Sequence, residues 1–376
     1  MAAQKNLIKR FLRYVKIPSL SKNERIFGDF IKNELRALSE RVVEDYSGKN
    51  IGGNCGNIYA YIKGNIPDAP TIMFNAHLDT VLTGKIKPVV RGDKIISNGS
   101  SILGADDKAG VAVIMEVISR IKKMKLSHGN IEVVFTVAEE IGLLGAKHIN
   151  KKFLKSDFGF AVDGGKVNLV MNAAPSQNSI TAIIHGKAAH AGIHPENGIH
   201  AIKVISNAIS KIKMGRIDHE TTSNIGVIHG GVATNIIPDH VEIKGETRSH
   251  NENKLKNQTD HIVSTIKREC KKFGAKSDIK VVRMYDSFAV KESSFASKIL
   301  KSAAIMSRIK LDFKPTGGGS DANIFNQLGI PTLIVGVGGR GAHTKYESVS
   351  ISSMGKAADY FINIIKTAAN EKRNIN

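Results

Sequence analysis

Apolar positions recur along this chain with two different spacings, and the switch between them lays out its elements. In residues 5–15, Leu7, Ile8, Phe11, Leu12 and Val15 form one stripe among lysines and arginines, the 3.6-residue period of an amphipathic helix. Residues 24–38 carry the same period, whereas 56–62 and 71–76 are short apolar runs of strand type. Residues 107–124 predict a long helix that opens on an acidic pair and carries Val111, Ile114, Met115 and Ile118 at helical spacing. Residues 131–138 then read as a buried strand, 142–152 as a helix, and 158–162 as a strand that stops at Asp163-Gly164-Gly165. This alternation predicts an α/β fold with a mostly parallel sheet flanked by helices, in which ligands bind beyond the carboxyl ends of the strands.

Between Gln177 and Tyr285 the rhythm changes. Strands at 179–184, 222–229, 240–246 and 278–283 and helices at 198–213 and 253–273 follow the order strand, helix, strand, strand, helix, strand. That order predicts an inserted ferredoxin-like α+β domain. The chain therefore divides into a first part of a catalytic domain at 1–176, an insertion at 177–287 and the rest of the catalytic domain at 288–376. In that last part a helix at 293–306 and an apolar strand at 331–337 resume the first pattern, and a polar tail after Ala368 is expected to fray.

A length of 376 residues suits two domains, and 41% hydrophobic against 6% aromatic residues suits a core of aliphatic side chains. Runs such as 131–138 and 331–337 fall far short of the roughly 20 apolar residues of a membrane span. The formal charge of +20 is spread along the chain without basic-aromatic interleaving, so it predicts a solvated surface and no specific nucleic-acid partner. The basic first helix resembles a transit peptide only weakly and is expected to pack on the body. Two cysteines, Cys55 and Cys270, lie far apart and outside any CxxC pattern, which points to a reducing cytoplasm.

The candidate chemistry lies where apolar strands give way to polar loops. His77 and Asp79, two apart at a strand end, point to the same side, and the carboxylate is suited to holding the imidazole in orientation. In Gly104-Ala105-Asp106-Asp107, Asp106 is expected to bind metal and Asp107 to open the helix. Glu139 and Glu140 follow a buried strand and diverge, so that one is free to bind metal while the other faces a reacting water. Asp163 precedes two glycines, and His343 lies beyond the 331–337 strand with Glu347 as a candidate orienting partner. So many carboxylates in one cleft repel one another and require cations, shared protons or both. Zinc is the simplest such cation.

The segments Asn75-Ala76-His77-Leu78-Asp79-Thr80, 104–110, Glu139-Glu140-Ile141-Gly142, Val162-Asp163-Gly164-Gly165 and the His343 loop resemble, in order and over nearly the whole chain, the motifs of the peptidase T-like dinuclear zinc peptidases, relatives of carboxypeptidase G2 and the aminoacylases. The resemblance implies two zinc ions, with Co or Mn as substitutes. One would be held by His77, Asp106 and Asp163, the other by Asp106, Glu140 and His343. It implies Glu139 as general base, Asp79 as the residue orienting His77, and His190, in Gly186-Lys187-Ala188-Ala189-His190, as an oxyanion-stabilising histidine often supplied by a partner subunit, hence a homodimer through the insertion. Asn235, Arg248 and the loop glycines Gly318 and Gly319 resemble positions that bind substrate. The implied activity is hydrolysis of short peptides by an aminopeptidase, the alternative being an N-acyl amino acid deacylase or carboxypeptidase. The chain departs from tripeptidases proper at Val137-Ala138, where they tend to carry Pro-Asp, and at Thr316, where they tend to carry Arg.

Overall fold

The computed structural model describes residues 2–81 and 84–372. Part of the tail expected to fray, residues 373–376, lies outside them. The chain forms two compact units, residues 1–173 with 289–376, and residues 174–288.

The first unit is built on a sheet whose strands run in the order Arg41–Glu44, Ile58–Ile62, Ile131–Thr136, Ile72–His77, Phe158–Gly164, Thr332–Gly336 and Leu169–Ala174. The four at its centre, from Ile131–Thr136 to Thr332–Gly336, are mutually parallel. Ile72–His77 and Ile131–Thr136 are buried at every position, which explains why their sequences are apolar runs without alternation. Glu132 is an acid inside such a strand. It survives burial because the Lys155 amide, 2.9 Å away, and the Ser156 hydroxyl both donate to its carboxylate.

Side chains of alternating parity divide between the two faces of the sheet. Phe74 stacks at 5.9 Å on Phe160 and at 5.8 Å on Phe361 of the helix Ile351–Ala369. On the opposite face Met73, Val134 and Tyr59 cluster with Phe325 and Ile330. The helix Ala105–Met124 also packs on Ile72–His77 and on Phe158–Gly164, approaching the latter closely at Gly110, where a Cβ would stand 2.2 Å from the Val162 carbonyl oxygen. The predicted first helix runs from Ala2 to Tyr14 and buries Leu7, Phe11 and Tyr14.

Several elements differ from the sequence reading. The helix expected over 142–152 shrinks to Leu144–Lys147 and a 3₁₀ turn at Lys151–Phe153. Gly142 and Leu143 have positive φ, and the Gly145 amide bonds back to the Val137 carbonyl, so the chain turns tightly before any helix can extend. The helices Ile351–Ala369 and Asp321–Gln327 and a hairpin of Pro88–Arg91 with Lys94–Ser97 escaped the reading. That hairpin joins Ser348–Ser350 and Gly339–Arg340 in a small antiparallel sheet.

The second unit is an antiparallel sheet in the order Gly215–Arg216, Thr221–Gly230, His240–Ser249, Ser176–His185 and Lys276–Tyr285. The helices Ala201–Ile209 and Glu252–Phe273 pack on the sheet around Ile180, Ile184, Val204, Ile205, Ile243 and Ile266. Its element order is that of the ferredoxin-like fold.

Phe74 fills the space between sheet and helix, so Phe74→Ala leaves a cavity and is expected to lower stability by about 3–5 kcal/mol. Equilibrium denaturant unfolding checks this, and a loss under about 1 kcal/mol would show that the core collapses around the site.

Candidate active site

Three parallel strands deliver acids and a histidine at one end of the first unit. His77 is the last residue of Ile72–His77, Asp163 is the penultimate residue of Phe158–Gly164, and Glu139 and Glu140 lie just past Ile131–Thr136. Asp106 arrives instead from the start of the helix Ala105–Met124, where Asp106 and Asp107 themselves have non-helical backbone angles and a cis peptide bond between them. His343 comes from the loop between Gly339–Arg340 and Ser348–Ser350 and has φ of +64°.

Asp106 is the hub. The Nε2 atom of His77 lies 3.0 Å from one of its oxygens, and the Nε2 atom of His343 lies 3.5 Å from the other. His77 also stands 4.0 Å from Asp163, and His343 2.9 Å from the Glu140 carboxylate. The ligand-type atoms of His77, Asp106 and Glu140 lie within 4.8 Å of one another, as do those of His77, Asp107 and Asp163. The two imidazoles differ in setting, His77 being 2% exposed and His343 51%.

The supporting contacts depart in part from expectation. His77 Nδ1 lies 3.0 Å from the main-chain oxygen of Asp79 and 3.5 Å from its carboxylate, so the carbonyl is the nearer acceptor for the ring N–H, leaving Nε2 toward the acids. The Asp79 carboxylate instead accepts the amides of Glu139 at 2.9 Å and Glu140 at 3.2 Å and the Ser21 hydroxyl at 2.6 Å. Glu347 makes no hydrogen bond or ion pair with His343. It accepts the amides of Leu103, Gly104 and Asp106 at 2.8, 2.7 and 2.9 Å, and so sets the loop that carries the hub. Asp107 accepts the amides of His77 at 3.3 Å and Gly110 at 3.1 Å, which fits its expected part in opening the helix. Ala138 holds φ of +52°, a conformation that costs a non-glycine residue roughly 1–2 kcal/mol and turns Glu139 toward the cluster.

Electrostatics register the crowding. Burial, with the Asp106 charge next, pushes the Asp163 carboxyl well above its usual range. Burial does the same to Glu139, where Asp163 and Asp321 add to it against the pull of His77. Hydrogen bonds to Asp106 and Glu140 raise His343 to about 10. Burial opposes a charged His77, yet its bonds to Asp106 and Asp79 prevail and raise it well above the ordinary value. The cluster thus retains positive charge in the form of protons, which is what divalent cations replace. Two imidazole nitrogens and several carboxylate oxygens with no thiolate are a donor set that fits borderline ions such as zinc.

Other predicted residues stand elsewhere. The Gly318 amide is engaged by the Thr316 hydroxyl at 3.2 Å; Gly318 and Gly319 lie between Asp312–Pro315 and Asp321–Gln327. In the second unit His190 is exposed and bridges to Ile236, while the Ala191 amide donates to the Asn235 carbonyl, so these two motifs are neighbours. Arg248 pairs with Glu246 at 2.8 and 3.0 Å. The sequence reading gave no role to Asp321, the final residue of the Gly-Gly-Gly-Ser-Asp run. Its buried carboxyl meets the Thr136 hydroxyl, leaves one oxygen unpartnered, and is raised by burial to about 6.

Residues 73–367 match the model of peptidase family M20/M25/M40. The chain belongs to this family. It is a hydrolase acting on peptide bonds. A Bacillus subtilis protein named only as uncharacterised YqjE is 38% identical over 98% of this chain and 100% of its own length. Peptidase T of Clostridium perfringens is 28% identical over 97% and 99%. Among solved structures, a Staphylococcus aureus tripeptidase is 37% identical, with a TM-score of 0.92 over 98% of this chain and 99% of that one. The aminopeptidase PepT of Bacillus cereus is likewise 37% identical, with a TM-score of 0.87 over 98% and 99%.

Because Asp106 faces both imidazoles, Asp106→Asn is expected to cut the content of divalent metal at both positions, read by elemental analysis after dialysis. Loss of a single equivalent would show that Asp106 serves one ion only. Since the acids around them raise the pKa of both His77 and His343, divalent metal binding at pH 7 is expected to release protons and to tighten as pH rises. Calorimetry in buffers of different ionisation enthalpy measures this, and net proton uptake would contradict it.

Proposed function

We propose that this peptidase is a dinuclear zinc aminopeptidase of short peptides, resembling peptidase T. The observation that carries the reading is the hub: one carboxylate whose two oxygens face His77 at 3.0 Å and His343 at 3.5 Å, with Asp163 beyond the first and Glu140 beside the second. His77, Asp106 and Asp163 would hold one ion, and Asp106, Glu140 and His343 the other. Bound there, a pair of zinc ions would polarise the scissile carbonyl and acidify water.

The chain's own groups do the rest. Glu139 is the general base: its carboxyl, raised by burial, takes a proton from the attacking water and passes it to the leaving amine. Asp79 holds the backbone of Glu139 and Glu140, and through its carbonyl oxygen the ring of His77. On their sequence motifs His190 is proposed as the oxyanion-stabilising histidine and Asn235, Arg248, Gly318 and Gly319 as substrate contacts, with the second unit as a surface for homodimers. The free thiols Cys55 and Cys270 support a reducing, cytoplasmic setting. Among the described residues no helix is long and apolar enough to cross a membrane.

Glu139→Ala is expected to keep both metals and lose about 10²–10⁴-fold in kcat, the usual share of a general base. Near-normal turnover would remove Glu139 from that role. Digestion of a peptide library with free and blocked amino termini, read by mass spectrometry with and without chelator, tests the substrate class. Cleavage confined to free amino termini and abolished by chelator is expected, whereas release of acyl groups from blocked amino acids would favour a deacylase on the same scaffold.

A further inference from the structure

The amides of Ala138, Glu139 and Glu140 are three consecutive backbone donors, and all three end on carboxylates. Asp79 takes the second and third. The first goes to Glu24, whose Oε1 accepts the Ala138 amide at 3.0 Å across 114 residues of sequence and the Lys22 amide at 2.8 Å. Glu24 is 0% exposed, and its Oε2 has no hydrogen-bond partner. A buried acid that spends one oxygen on two amides and leaves the other bare is an expensive way to cap a turn. Its position explains the expense, because Ala138 is the left-handed residue through which the Glu139-Glu140 pair is presented.

Glu24 also belongs to a segment that touches the other side of the site. Ser19 accepts the Thr80 amide at 2.9 Å through its carbonyl, and Ser21 donates to Asp79. The stretch from Ser19 to Glu24 therefore grips both the His77-Leu78-Asp79 turn and the paired glutamates. We infer that Glu24 is a positioning residue for the catalytic pair: its carboxyl oxygen fixes the Ala138 turn and thereby the placement of Glu139 and Glu140. This rests on the roles proposed above for those two residues.

Burial, with the charge of Asp79 next, raises the Glu24 carboxyl to about 7, so a carboxamide is a fair replacement for its neutral form. Glu24→Gln keeps an acceptor for both amides, and Glu24→Met keeps the volume without one. The test compares both with the unsubstituted full chain by visible absorption during cobalt(II) titration of chelator-stripped protein. It adds hydrogen exchange of the segment 137–143 and kcat and KM on a peptide that the parent cleaves.

For Glu24→Met we expect faster exchange in that segment and altered cobalt bands. Cobalt affinity and kcat should each fall about 10- to 100-fold, as for other residues that orient ligands, with KM nearly unchanged. Glu24→Gln should stay within about threefold of the parent. A purely structural residue would lower the melting temperature and leave the cobalt spectrum and the kcat of the folded fraction intact. Parent-like cobalt binding and kcat in Glu24→Met overturn the inference, as does equal damage in Glu24→Gln. A parent protein that binds no cobalt or cleaves no peptide would instead sink the metallopeptidase reading, an outcome recognisable before any variant is compared.

Discussion

Repulsion among buried carboxylates is the constraint around which this molecule is arranged. Asp106, Asp107, Glu139, Glu140, Asp163 and Asp321 converge on one end of a parallel sheet, and their charges cannot coexist there uncompensated. Two imidazoles, retained protons and backbone amides share the compensation. The amides matter most for shape, since each one that donates to a carboxylate also fixes a loop: Glu347 sets 103–106, Asp79 sets 139–140 and Glu24 sets 138. The acids that do not face the centre are the ones that aim the acids that do.

The sheet makes this convergence inexpensive in geometry. Parallel strands end on the same edge, so residues far apart in sequence reach one place without long excursions of the chain. Rigidity comes from both faces, Phe74 with Phe160 and Phe361 on one, Met73 and Val134 with Phe325 on the other. His77 inherits that rigidity directly as the last residue of the central strand.

Much of this was legible in the sequence, and the exceptions have separate causes. Fully buried strands such as 72–77 and 131–136 announce themselves as apolar runs, and the acids at their ends stand out by contrast. The ferredoxin-like order of the second unit was readable because each of its elements keeps a clean period. What escaped were the short strands Pro88–Arg91 and Asp312–Pro315, which their sheet partners define, and the helix Ile351–Ala369, which the reading passed over although its buried Met354, Ala358, Phe361, Ile365 and Ala368 keep a helical period. The helix read into 142–152 failed because turn geometry overrode propensity. Glu347 was noticed for the wrong neighbour, since spacing of four suggests His343 while the fold carries its side chain to the amide of Asp106. Glu24 gave no local signal, because its partner lies 114 residues away.

The reach of Glu347 carries a consequence for biosynthesis. Its bond to the Asp106 amide spans 241 positions, and the strand Thr332–Gly336 that borders Phe158–Gly164 is also made late. A chain emerging from the ribosome can therefore bring together the acids of the strands between 72 and 164 early, but cannot set the loop of Asp106 until Glu347 has been made. The carboxylate that faces both imidazoles is thus held by a segment translated long after it, which makes the last step of the site's assembly a late one in synthesis.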